Sequence, residues 1–303
     1  MDVLHVPVLL REAVGWLDVA RGGLYVDATL GLGGHAEAIL DAAHAARLVG
    51  VDRDPDAREL AARRLERFGD RVEILAGDFR DLERLLGGRR PAGVLADLGV
   101  SSLQLDRAER GFSFRREGPL DMRMGGEGPT AADLVNRSTE AELEDIFRNL
   151  GEEPEARRVA RALVAARRRQ PISTTRELAE VVRAAKRQRG GERIDPATRV
   201  FQALRIGVND ELAAVAALLD SAVRMLERDG RLVVISYHSL EDRIVKNRMR
   251  ELARGEVDPV TGRTLSETRV LEVLTKKPVG PSPEEVAANP RSRSARLRAA
   301  RRL

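Results

Sequence analysis

Between Gly23 and Ser102 the chain alternates short apolar runs with segments of helical spacing, and that alternation leaves few folds open. The runs "GLYVDATL" (23–30), "RLVGVDRDP" (47–55), "RVEILAGDF" (71–79) and "PAGVLADLGVSS" (91–102) read as buried strands. Between them, Ala36, Ile39, Leu40 and Ala43 share one helical face, and so do Ala57, Leu60, Ala61 and Leu65. Strands alternating with helices predict an α/β fold with a mostly parallel sheet covered on both faces.

The alternation stops near residue 105. From there to about 200 the signals are helical. Thr139 and Glu142 form a capping box ahead of Leu143, Ile146, Phe147 and Leu150. Val159, Ala160, Leu163 and Val164 make a second stripe, and Thr174 with Glu177 repeats the box ahead of Leu178, Val181 and Val182. The sheet pattern then resumes. A helix carrying Leu212, Val215, Leu219, Val223 and Leu226 ends at Asp229–Gly230, and "RLVVISY" (231–237) reads as a fifth strand. Segments 269–279 and 294–303 are candidates for two more, although the arginines of the last also fit a helix. The expected organisation is therefore one α/β domain from 1–104 and 201–303, interrupted by a helical domain at 105–200.

Composition closes off several classes. There is no cysteine, so disulfide, thiol-redox and cysteine-zinc chemistry are excluded. The four histidines, His5, His35, His44 and His238, are scattered, and no metal site is expected. The N-terminus lacks the pattern of a signal peptide, and no apolar run reaches membrane-span length, so a cytoplasmic protein with no membrane partner is expected. Only four lysines stand against a large excess of arginine. Arginine codons in a GC-rich genome and contact with phosphate both account for that bias.

The sharpest local feature is "VDATLGLGGHAEAIL" (26–40): a strand, a glycine loop and a helix start. Glycines let a ligand approach the backbone, and a helix start offers unpaired N–H groups to it. Gly31-x-Gly33-x-x-Ala36, with Asp52 about twenty residues on, satisfies a loose dinucleotide fingerprint, which a tight packing turn would satisfy as well. Acids separate the ligands. Asp27, Asp52, Asp78 and Asp97 stand at the ends of four successive strands. An acidic rim there repels a pyrophosphate and suits a ligand with an ammonium, a sulfonium and a ribose diol, such as S-adenosylmethionine. Each Asp alone also reads as a helix cap or turn residue.

"HVPVLLRE", "VDATLGLGGH", "GVDRDPDA", "DLGVSSLQLDRAERGFSFRREGPLDMRM", "PATRVFQALRIGVNDEL", "ISYHSLEDRIVK" and "NPRSRSARLR" occur in this order along essentially the whole chain. They resemble the signature blocks of the bacterial small-subunit ribosomal RNA cytosine-N4 methyltransferases, the RsmH or MraW family. Ala28, Ala36 and Tyr237 depart from that pattern, where glycine, serine and phenylalanine are usual, without changing the implied chemistry. The resemblance implies a class I methyltransferase (Rossmann-like) sheet with a helical insertion, and S-adenosylmethionine as cofactor. It puts Gly33, Gly34 and His35 at the cofactor loop, Asp52 on the ribose, Phe79 and Asp78 beside the adenine, and Asp97 and Gln104 near the methionine end. Asp27 and Gly31 are expected as neighbours.

The implied reaction is methyl transfer to a cytidine amine in the decoding region of small-subunit RNA. Asp97, or carbonyls of its loop, is the candidate acceptor for the amine hydrogen, with Ser101 or Ser102 shaping the pocket; a purely cofactor-binding Asp97 is the alternative. His238 is a second catalytic candidate, or else a histidine paired with Glu241 or Asp242 to fix a turn. Phe112, Phe114 and Tyr237 are candidates for stacking on the flipped base, and Phe112 and Phe114 equally suit a core. Arginine clusters at 167–169, 183–193 and from Arg291 onward are candidate contacts to the RNA, or solvated faces. A homodimer is compatible with the sequence. The competing classes are a nicotinamide-dependent oxidoreductase and a non-catalytic RNA-binding assembly factor.

Overall fold

The apolar runs on either side of the helical segment can be buried only from two faces, and the sheet satisfies that demand for its central strands. The computed structural model describes residues 7–186, 195–256, 258, 261–262 and 264–303. Seven strands form one sheet: β1 Gly23–Asp27, β2 Ala46–Asp52, β3 Val72–Ala76, β4 Gly93–Asp97, β5 Arg231–Ser236, β6 Leu271–Val273 and β7 Arg296–Arg302. Their order is β3-β2-β1-β4-β5-β7-β6. The first five run parallel, and β7 is antiparallel to both β5 and β6. Order reverses between β1 and β4, because the chain builds outward through β2 and β3 and then returns. In such sheets the crevice for a ligand opens at the carboxyl ends of the strands flanking that switch.

Successive strand residues point to opposite faces. Tyr25, Leu48, Leu95, Val233 and Ile235 enter one core with Leu17, Ile39, Leu40 and Leu65. Val26, Val49, Val94, Leu232 and Val234 enter the other with Leu82, Leu86, Leu219, Val245 and Met249. Helix Pro55–Leu65 departs from the expected stripe. It buries Ala57, Ala61 and Leu65 at strict i, i+4, i+8 spacing, and Leu60 falls outside that narrow line, exposed.

The chain divides into two compact units, 1–99 with 212–303, and 100–211. Both joints differ from the expected 104/105 and 200/201. The second moves because helix Thr198–Asn209 packs on helix Glu140–Gly151 so tightly that a Cβ on Gly151 would lie 2.6 Å from the Arg199 carbonyl oxygen. The second unit is helical among the described residues, with one isolated bridge, Pro119 to Thr174. Both expected capping boxes are present, Thr139 with Glu142 and Thr174 with Glu177. Phe112 is buried in this unit's core, and Phe114 meets Phe201 edge-on at 4.8 Å between centroids. Both therefore serve packing. No helix among the described residues is long and apolar enough to cross a membrane.

The final segment is a strand, despite its arginines. Arg298 is almost fully buried within it, and its Nε and Nη2 donate to Asp242 at 2.7 and 3.1 Å. Arg296 donates to the same carboxylate at 3.2 Å. The guanidinium partners hold the Asp242 carboxyl below its ordinary pKa of 3.8 against the opposing pull of burial. Removing one partner of a buried pair strands the other charge. Asp242→Ala is therefore expected to cost about 3–5 kcal/mol in denaturant unfolding; a loss under about 1 kcal/mol would contradict the pairing.

Candidate functional site

The glycine loop is held from both sides. Leu30 N–H donates to the Val51 carbonyl and Gly33 N–H to the Leu30 carbonyl. Gly31 and Gly33 have φ of +50° and +76°, a region that favours glycine. Gly33 is the N-cap of helix Gly34–Ala42. A Cβ on Gly34 would lie 2.3 Å from Pro7 Cγ, so the chain needs glycine there for close packing.

Asp52 closes β2 beside this loop. One of its carboxylate oxygens accepts from Gly31 N–H at 2.8 Å, and the other from Asp54 N–H at 2.8 Å. The residue expected on a ribose thus also braces the loop, and a carboxylate keeps further lone pairs for a diol. Asp78 caps the short turn Phe79–Asp81, accepting from Arg80 N–H at 2.9 Å, and pairs with Arg53 at 3.2 Å. Phe79 is half-buried against one sheet face.

The acids at the switch point stand differently. Asp27, at the end of β1, is 1% exposed and accepts from Thr29 N–H at 3.1 Å. Asp97, at the end of β4, accepts from the Tyr237 hydroxyl at 2.8 Å, and its own N–H donates to Thr29 Oγ1 at 2.6 Å. No arginine or lysine pairs with either carboxylate among the described residues. Burial pushes each up from 3.8 to about 7, against the lowering effect of these hydrogen bonds, and each raises the other electrostatically or is raised by a nearby acid: Asp97 by Asp27 and Glu241, and Asp27 by Asp52.

His35 is buried next to Asp97, with Nδ1 3.8 Å from Asp97 Oδ2. Its Nε2 lies 3.0 Å from the Val8 carbonyl oxygen, which can only accept, so Nε2 carries a proton. The rim thus has two halves. Asp52 and Asp78 are satisfied by backbone and arginine; Asp27 and Asp97 lack a compensating Arg or Lys.

Helix Ser239–Arg254 opens just past β5. His238 is its N-cap, with Nδ1 accepting from Glu241 N–H, and Nε2 lies 3.2 Å from Glu241 Oε1 without hydrogen-bond geometry. Glu241 is buried, and its other oxygen accepts from Tyr237 N–H at 3.0 Å. The histidine is engaged with Glu241, three residues on. Gln104 belongs to the second unit, where its side chain and Ser101 close the cap of helix Ser102–Asp106. Its place near a donor is carried by the resemblance alone. Thr29 and the Tyr237–Asp97 bond have no signal in the sequence. The bond follows from register: Asp97 lies opposite Ile235, and Tyr237 is two residues beyond.

A sheet of this order, with one antiparallel strand between β5 and the edge and a glycine loop after β1, defines a class I methyltransferase fold. The comparisons go further: the MraW methylase family model matches residues 2–303, and the chain belongs to that family. It is 50% identical over 306 residues to the ribosomal RNA small subunit methyltransferase H of Nitrobacter winogradskyi, covering 99% of this chain and 91% of that one. The protein of the same name from Methylorubrum extorquens is 48% identical over 305 residues, covering 98% and 86%. Among solved structures, a putative methyltransferase from Streptococcus mutans in complex with SAH aligns over 99% of this chain and all of its own, at 11% identity and a TM-score of 0.46.

Burial of Asp27 has a consequence for stability. The folded state holds its proton up to about pH 7, and the unfolded chain releases it near 3.8. The stabilisation from that proton is complete below pH 3.8 and is lost as pH rises to 7. Asp27→Asn removes this loss. Its stability relative to wild type is expected to be unchanged near pH 4 and to rise to at most about 4 kcal/mol above pH 7. A difference that stays constant from pH 4 to 8 would contradict the burial argument.

Proposed function

We propose that this protein transfers the methyl group of S-adenosylmethionine to the N4 amine of a cytidine in the decoding region of small-subunit ribosomal RNA. The carrying observation is the pair of carboxylates at the switch point, Asp27 buried and Asp97 partly exposed to the crevice, which suits a cationic ligand and opposes a pyrophosphate. The names of the relatives support small-subunit ribosomal RNA as the substrate class. The choice of cytidine N4 and of the decoding region rests on the family resemblance.

The residues fit the donor. Gly31, Gly33, Gly34 and His35 form the loop that would receive it, Asp52 would take the ribose hydroxyls, and Asp78 and Phe79 would flank the adenine. Asp27, with Asp97 and Gln104, would meet the methionine end. When bound, the donor supplies a methyl group already activated on sulfur: the amine lone pair forms the N–C bond as the C–S bond breaks, and sulfur keeps the electron pair.

What remains for the chain is alignment and one proton. The N4 lone pair is conjugated with the ring, and an acceptor for an N4 hydrogen localises it on nitrogen. Asp97 fills that role. Thr29 anchors its backbone and Tyr237 holds one oxygen, so the second oxygen has a fixed direction. A carboxyl near pH 7 accepts a proton after transfer and releases it to water. His238 is held at the helix start, and we assign the proton to Asp97.

The second unit is the RNA-docking domain in this reading. Arg168 and Arg169 are exposed at the end of helix Ala156–Arg167. Within the cluster at 183–193, Arg183 pairs with Asp195 and Lys186 with Glu153, while residues 187–193 lie outside the described residues.

The test combines labelled donor with small subunits lacking the modification, followed by digestion of the RNA and identification of the labelled nucleoside. The expected product is N4-methylcytidine. Asp97→Ala is expected to slow transfer by about 10²-fold or more. Label on another nucleoside, or full turnover by Asp97→Ala, would overturn the reading.

A further inference from the structure

The C-terminal arginines do not form one basic patch. Arg298 is spent on Asp242, Arg301 on Glu272 and Asp229, and Arg302 donates to the Val270 carbonyl. Arg293 differs. It is exposed, and no carboxylate pairs with it among the described residues. The turn Pro290–Ser294 that presents it is fixed from within: Asn289 accepts from Arg291 N–H at 3.2 Å, and the buried Ser292 hydroxyl donates to the Asn289 carbonyl at 2.8 Å.

Arg293 stands on a cleft of about 490 Å³ in the first unit. Arg296, which also pairs with Asp242 at 3.2 Å, and Ser294 line it too, with Ser239 at the start of helix Ser239–Arg254 and the rings of Pro278 and Pro281. No carboxylate residue lines it. The volume suits a single nucleotide. Tyr237 also lines it, and the hydroxyl of that residue holds Asp97. The cleft is therefore one side chain away from the carboxylate assigned to the reacting amine.

We propose that this cleft binds the RNA strand next to the target cytidine, with its phosphodiester against Arg293 and its sugar against the two prolines. Guanidinium groups make forked hydrogen bonds to phosphate oxygens, and such contacts fix register without reading sequence. This rests on the RNA-methylating function proposed above.

The test uses the full-length protein, a small-subunit RNA fragment carrying the target, and Arg293→Glu. Donor binding by calorimetry checks that the variant is folded. RNA affinity is expected to fall about tenfold or more, and the slope of log affinity against log salt to shrink by about 0.7, the value for one single-strand phosphate contact. Gly280→Met fills the cleft without changing charge; a Cβ there meets only the Ala295 carbonyl oxygen, at 3.9 Å. It is expected to raise the RNA KM several-fold with donor affinity unchanged. If wild type binds the RNA and both variants bind it equally well with the same salt slope, the cleft is not an RNA site, and the proposed function stands. If wild type neither binds nor methylates the RNA, the proposed function fails, and this inference with it.

Discussion

Two neighbouring carboxylates, one fully buried and one partly buried, without a paired arginine or lysine among the described residues are the constraint on which the rest of the site depends. Asp27 and Asp97 end adjacent strands where the strand order reverses. Burying a carboxylate is unfavourable unless it is neutralised or paired, and here the folded chain leaves both poised near neutrality. Such an arrangement is retained at a cost to stability. A ligand carrying positive charge into the crevice repays that cost, which is why the site reads as one for a cationic donor.

The surrounding structure keeps these acids in place without discharging them. Thr29 serves both, donating its N–H to Asp27 and accepting from the backbone of Asp97 through its hydroxyl. Tyr237 reaches Asp97 from the strand on the other side. Asp52 accepts from Gly31 N–H and so ties the glycine loop to the end of β2. Catalysis of an already activated transfer needs little beyond such fixed alignment and a proton acceptor.

Much of this was legible in the sequence, for physical reasons. Three of the four leading strands announce themselves because buried parallel strands are apolar on both faces; β3, expected to be buried as well, is an edge strand with no buried residue. The acids show because they close those runs. The capping boxes are local, so Thr139–Glu142 and Thr174–Glu177 could be read directly. Pairings across long separations could not. Arg298 can sit in a buried strand only because Asp242, far back in the chain, neutralises it. The Tyr237 hydroxyl meets Asp97 only through strand register. The end of the helical unit escaped for a similar reason: Thr198–Asn209 has an ordinary amphipathic pattern, and its partner helix decides which unit it joins.

The most direct measurement is the proton balance of donor binding. Calorimetry of S-adenosylmethionine binding near pH 6.5, in buffers of different ionisation enthalpy, reads the protons released. If the switch-point acids receive the cation, binding releases protons, tightens as pH rises from 6 to 8, and releases fewer in Asp27→Asn and with S-adenosylhomocysteine, which lacks the sulfonium charge. Binding heats that do not depend on the buffer, with affinity flat across that range, would contradict the assignment of Asp27 and Asp97 to a cationic donor.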